Sequence, residues 1–140
     1  MSASHEFTPA QVEAAIRFVV HNGAEDRGQT ISYSRVFDAA GLPAPQYLHM
    51  GGESHLVTEF MAAFHHLCVD KGLPPLDSLV VHVAGPRKNF PGAGYFRVNQ
   101  LPDPLGEKTR AVDQVTSTQF WERQREACRS WGVQSRRGRV

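Results

Sequence analysis

The sequence predicts an α+β fold: three N-terminal helices, a β-hairpin and a C-terminal helix, all within residues 1–132. Three observations carry that reading. Apolar residues recur at helical spacing in three segments before residue 71, each preceded by a capping residue and followed by a glycine. Leu79-Val80-Val81-His82-Val83 is a mainly apolar run of strand length, bounded by Pro74-Pro75 before it and a Gly/Pro-rich loop after it. Helical patterning then returns with Phe120, Trp121, Ala127, Cys128 and Trp131, and Gly132 follows.

In order, Thr8-Pro9 reads as a capping residue with proline in the first turn. Val12, Ala15, Ile16, Val19 and Val20 form one helical face, stopped by Gly23. Gln29-Thr30-Ile31 suits a short strand leading into Ser32, a second cap. Tyr33, Val36, Phe37 and Ala40 make a short amphipathic helix closed by Gly41. The prolines and paired glycines of Leu42 to Glu53 exclude regular structure over most of that segment. Ser54 then caps a third helix striped by Leu56, Phe60, Ala63, Phe64, Leu67 and Cys68 and ending at Lys71-Gly72. The hairpin follows, with a return strand at Tyr95-Phe96-Arg97-Val98. The last helix is expected to begin near Glu107 or at Ser117-Thr118, and residues 133–140 to form a disordered basic tail.

A chain of 140 residues is one domain's worth, able to bury about two-thirds of its unfolded surface. Its 41% hydrophobic and 21% charged content is that of an ordinary globular protein. No apolar run nears the roughly 20 residues of a membrane span, and Met1 to Glu6 lacks the basic and apolar regions of a signal peptide. The expected setting is therefore cytoplasmic, away from membranes. Cys68 and Cys128 are expected to be buried, reduced thiols. Net charge is +1, but the last twenty residues hold six arginines against two glutamates, which concentrates positive charge at the C-terminus.

Seven histidines raise the question of a metal. His65 and Cys68 have the spacing of two ligands on one helical face, but neither zinc-finger nor His-Glu-x-x-His spacing occurs, so no metal is expected. Cys68 has His65 and Asp70 nearby, yet its apolar neighbours would raise the thiol pKa, the opposite of what a nucleophile needs. No nucleophile elbow, P-loop or dinucleotide fingerprint is present. The expectation is a non-enzyme without a cofactor.

Helix, short strand, short helix, longer helix and hairpin is the element order of a winged helix, so the fold is expected to be winged-helix-like. Thr30-Ile31-Ser32-Tyr33, the helix from Leu56 to Cys68, Leu79 to Val83 and Gly94-Tyr95 also resemble the C-terminal domain of DNA alkyltransferases and alkyltransferase-like proteins. That family's Pro-Cys-His-Arg acceptor motif is missing, so the resemblance does not extend to alkyl transfer. Tyr33, Gly72 to Val81, Pro91 to Gly94, and Gln124 with Trp131 are similar to features of small uncharacterised bacterial and phage proteins that share this skeleton. This second resemblance spans roughly residues 10–131 and implies a fold, not an activity.

Two functions follow as expectations. A winged helix would bind duplex DNA, with Arg87 and Lys88 of the hairpin loop and Arg129, Arg136, Arg137 and Arg139 of the C-terminus on phosphates. The third helix opposes base readout, because its outward residues include Glu59, His65 and His66 but no arginine. The alternative is a protein-binding adaptor or inhibitor, such as a phage-type modulator of a host protein, using Tyr47, Met50 and Phe90 as loop anchors.

Overall fold

Five α-helices and one two-stranded parallel sheet make up the computed structural model, which describes residues 7–45 and 55–138. Helix α1 (Pro9–Val19) opens with a reciprocal cap: the Gln11 amide donates to the Thr8 hydroxyl, and the Thr8 amide donates to the Gln11 side chain. It buries Val12, Ala15, Ile16 and Val19, then widens into a π-helical turn, Val20–Ala24. Strand β1 (Ile31–Ser32) runs directly into α2 (Tyr33–Ala39), where Ser32 accepts the Arg35 amide as the cap. Helix α3 (His55–Asp70) buries Val57, Phe60, Phe64 and Cys68. The expected Ser54 cap and most of the Leu42 to Glu53 segment lie outside the described residues.

The Pro74-Pro75 segment does not lead straight into a strand. Leu76–Leu79 form a fully buried 3-10 turn, and strand β2 is only Val80–Val81. β2 pairs in parallel with β1, matching Ile31 to Val80 and Ser32 to Val81.

The hairpin is the main correction. The chain does turn back, but only locally: the His82 amide donates to the Phe90 carbonyl, and the Asn89 amide to the His82 carbonyl. The expected return strand is instead helix α4 (Ala93–Val98). Tyr95 and Phe96 are both buried, which adjacent positions of a strand could not achieve against one core face but a helix can. Their packing overrides the strand preference of Tyr, Phe and Val. The Tyr33 hydroxyl accepts the Gly92 amide at 2.8 Å and so fixes where α4 starts. The fold is thus mixed α+β and mostly helical, with a small parallel sheet in place of a wing.

Helix α5 (Ala111–Gly138) corrects the tail as well, because residues 133–138 continue the helix. Ser117, Trp121, Cys128 and Gly132 make its buried stripe. The main core joins α1, α2, α3 and the 3-10 turn around Phe37, Phe60, Phe64 and Leu79, with Cys128 brought in from α5 and Trp131 packed at its edge. A second cluster gathers Val81, Tyr95, Phe96 and Trp121.

Gly132 lies where α5 crosses the π-helical turn, and a Cβ there would collide with the Ala24 carbonyl. Gly132→Ala should therefore lower stability by about 2 kcal/mol in urea unfolding, the scale of core overpacking. Gly138→Ala, which meets nothing within 4 Å, should cause no loss.

Candidate functional site

Burying the turn Leu76–Leu79 carries two polar side chains into the interior, Asp77 and Ser78. Both find partners from other elements. Ser78 Oγ lies 3.5 Å from Cys128 Sγ, and the Ser78 carbonyl accepts the Trp121 indole N–H at 2.8 Å. Cys128 Sγ also donates to the Pro75 carbonyl at 3.2 Å.

Asp77 is only 4% exposed, and its Oδ2 sits 3.0 Å from His65 Nδ1. That hydrogen bond raises the His65 pKa above its ordinary value; burial opposes the shift and the Asp77 charge reinforces it. Asp77 Oδ1 is buried and has no hydrogen-bond partner. The pairing went unseen in the sequence, where His65 was weighed against Cys68 and counted among the outward residues of the third helix; its side chain is instead turned inward onto Asp77.

Asp77 lines a cleft of about 220 Å³ between α3 and α4. Thr58, Met61 and Ala62 form the α3 wall, while Tyr95, Arg97 and Val98 form the α4 wall. Tyr95 is 6% exposed, its hydroxyl is buried without a hydrogen bond, and its pKa is raised by burial first and by the Asp77 charge second. Tyr33 closes the cleft at the sheet side, its ring tilted against His82 with centroids 4.7 Å apart. Burial, with a smaller contribution from the Arg87 charge, lowers the His82 pKa.

The described residues expected to meet DNA fall on two elements, the loop after β2 and helix α5. Arg87 is turned inward at 13% side-chain exposure. Its Nη2 donates to Asp103 Oδ1 at 2.7 Å, its Nη1 to Oδ2 at 3.0 Å and its Nε to the Pro91 carbonyl at 3.3 Å. Burial alone would raise the Asp103 pKa, but the Arg87 hydrogen bonds, the Leu105 amide and the charges of Arg87 and Arg97 together outweigh it and hold that carboxyl below the usual range. Arg87 is therefore tied to Asp103 and the Pro91 carbonyl, with little of its side chain turned to solvent. Lys88 remains exposed in the loop. Arg129, Arg136 and Arg137 are exposed on α5, with Arg129 paired to Glu126 at 2.7 Å and Arg136 within 3.4 Å of the Glu25 carbonyl. Arg139 lies outside the described residues.

Of the proposed protein-binding anchors, Tyr47 and Met50 lie outside the described residues. Phe90 is half-buried against Trp121, with centroids 5.0 Å apart, and so completes the second cluster instead of standing free.

Cys68 and Cys128 are buried as expected. Burial above all, with the Asp77 charge adding to it, pushes both thiols up to about 12. Both are therefore held as thiols near neutrality. Among the described residues no three His, Cys, Asp or Glu side chains gather to hold a metal ion, and no helix is long and apolar enough to cross a membrane. No protein-family model, curated protein or solved structure matches the chain.

Two outcomes follow. In the native protein both thiols should react with iodoacetamide about a thousandfold more slowly than a free cysteine, since each unit of pKa is a factor of ten in thiolate. His65 has a folded pKa raised above 6.5, so its contribution to stability is complete below that pH and is lost as pH rises through the folded pKa. Urea midpoints on either side of that range should show the fall. His65→Gln should flatten it and lower acid-side stability by about 2 kcal/mol, the scale of a hydrogen bond to a charged group.

Proposed function

We propose that the protein is a non-catalytic binder of duplex DNA whose contact surface is the second half of α5. The supporting observation is a preformed basic helix. Residues 121–138 carry five arginines and two glutamates. Between Trp121 and Gly138 only Trp121, Cys128 and Gly132 are fully buried, and Arg129, Arg136 and Arg137 face solvent. Arg129 and Arg136 are seven residues apart and so share one flank two turns apart. Arginines held on a folded helix lose less freedom on meeting a phosphate backbone than those of a flexible tail.

Readout on this surface is electrostatic and independent of base sequence. Helix α3 carries no lysine or arginine, which is consistent with contact to backbone alone. The adaptor reading is weakened because Phe90 is taken up by Trp121.

Fluorescence anisotropy with unrelated duplexes at two salt concentrations tests the reading. Log affinity should fall linearly with log salt. Replacing Arg129, Arg136 and Arg137 together with alanine should weaken every duplex alike and reduce the slope by about 3. Arg87→Ala should leave the slope unchanged while lowering stability by about 3 kcal/mol, because Asp103 loses its partner. Wild-type protein that ignores DNA at low salt would end this proposal.

A further inference from the structure

Helix α3 carries a second stripe beside its buried one. Glu59, Ala62, Ala63, His66, Leu67 and Asp70 recur at the three- and four-residue spacing that keeps side chains on one line along a helix. Together with Phe7, Pro9 and Val12 from the start of α1, they line an open groove of about 540 Å³. That volume lies within the roughly 300–1,000 Å³ of sites that take whole ligands. Ala62, Ala63 and Leu67 are only half-buried, and His66 and Asp70 are exposed, so the floor is reachable from solvent.

The charge of the groove is one-sided. Glu59 and Asp70 are eleven residues apart, which is about 16 Å along the axis at ~1.5 Å per residue. Eleven steps of about 100° bring Asp70 to within about 20° of Glu59 around the helix, so the two carboxylates mark the ends of one line. The Glu59 side chain is 41% exposed and is met by His55 from one turn earlier. Among the described residues no lysine or arginine lines the groove. Between the carboxylates, Ala62 and Ala63 are too small to hold a partner's backbone away, and Leu67 and Val12 supply apolar contact. Both walls are helical, and the first free amides of α1, at Gln11 and Val12, are taken by Thr8. An extended peptide therefore finds no strand edge to pair with, whereas a helix satisfies its own backbone and brings only side chains.

We infer that this groove binds an amphipathic helix of a partner protein, one with a lysine or arginine at each end of an apolar stripe, eleven residues apart. One cation meets Glu59 and the other Asp70, while the stripe between them packs on Ala62, Ala63 and Leu67. The groove shares no residue with the basic face of α5, so this inference stands apart from DNA binding.

The probe is a fluorescein-labelled, alanine-rich helical peptide of about four turns, with two lysines eleven residues apart and two leucines between them on the same face. Anisotropy titration with the full-length protein should give saturable micromolar binding, and backbone amide shifts should concentrate in α3 and the first turn of α1. A peptide of the same composition with its lysines opposite the leucines should bind at least about tenfold more weakly. One with glutamates in place of the lysines should not saturate. Glu59→Gln and Asp70→Asn, both at solvent-accessible positions, should each weaken the lysine peptide about threefold, the scale of an exposed ion pair. Ala63→Arg sets bulk and like charge on the floor and should abolish binding with the amide dispersion of the fold retained. Should that variant not fold, the double variant Glu59→Gln, Asp70→Asn carries the test with a loss of about tenfold. Equal binding by the glutamate peptide would overturn the charge assignment, and equal binding by the opposite-face peptide would overturn the helical one. Absence of saturable binding by the lysine peptide, or binding unaltered in the double variant, would overturn the site. Self-association in sedimentation that Ala63→Arg removes would give the groove to a second copy of this chain and overturn the partner helix.

Discussion

The 3-10 turn Leu76–Leu79 must be buried without leaving its backbone unpaired, and that constraint orders the rest of the molecule. Pro74 and Pro75 supply no amide hydrogens, and local bonds satisfy only part of the turn: the Leu76 amide takes the Pro74 carbonyl, and the Ser78 amide takes the Pro75 carbonyl. The Val80 amide takes the Asp77 carbonyl, and helix α5 adds two further donors. Trp121 and Cys128 are two helical turns apart and reach the Ser78 and Pro75 carbonyls from one face. A rotation of α5 by one residue would break both bonds. The same two contacts therefore set which side of α5 meets the π-helical turn through Gly132 and which side carries its arginines into solvent.

Burial of the turn also draws a carboxylate into the interior. An ion pair in such a place adds little net stability over an apolar pair of the same shape, whereas its half-removal is strongly destabilising. Asp77 is accordingly tied to His65, and its charge spreads further, raising the pKa of Cys68, Cys128 and Tyr95. One side chain thus adds to the effect of burial on groups drawn from α3, α4 and α5.

How much of this the sequence disclosed follows from the range of each interaction. The caps Thr8 and Ser32, the glycine stops and the apolar stripes of α1, α2 and α3 act over a few residues, and those elements were legible. The return strand failed because Tyr95 and Phe96 are held by partners far along the chain: Trp121 in their cluster, and Tyr33 at the start of their helix. The tail was misread because residues 133–138 have no apolar pattern. Ser135 bonding to Glu25 and Arg136 reaching the Glu25 carbonyl hold that last turn and a half. Arg87 had the composition of a phosphate contact until Asp103, sixteen residues on, claimed it. The cleft was the least legible feature, since Tyr33, Asp77 and Tyr95 converge from three separate elements with no spacing rule to announce them.

The contact between Ser135 and Glu25 spans 110 residues, and it bears on how the chain is made. Glu25 is buried, and its side chain is approached by His21 from its own turn and by Ser135 from α5. During synthesis the first turn emerges long before α5 does, so α1 and its π-helical end must wait with that carboxylate still hydrated. The 3-10 turn waits with it, its outward carbonyls facing water until Trp121 and Cys128 leave the exit tunnel. Closure of the core therefore cannot precede the synthesis of α5, and a chain halted before α5 would leave the apolar faces of the 3-10 turn and the π-helical turn open.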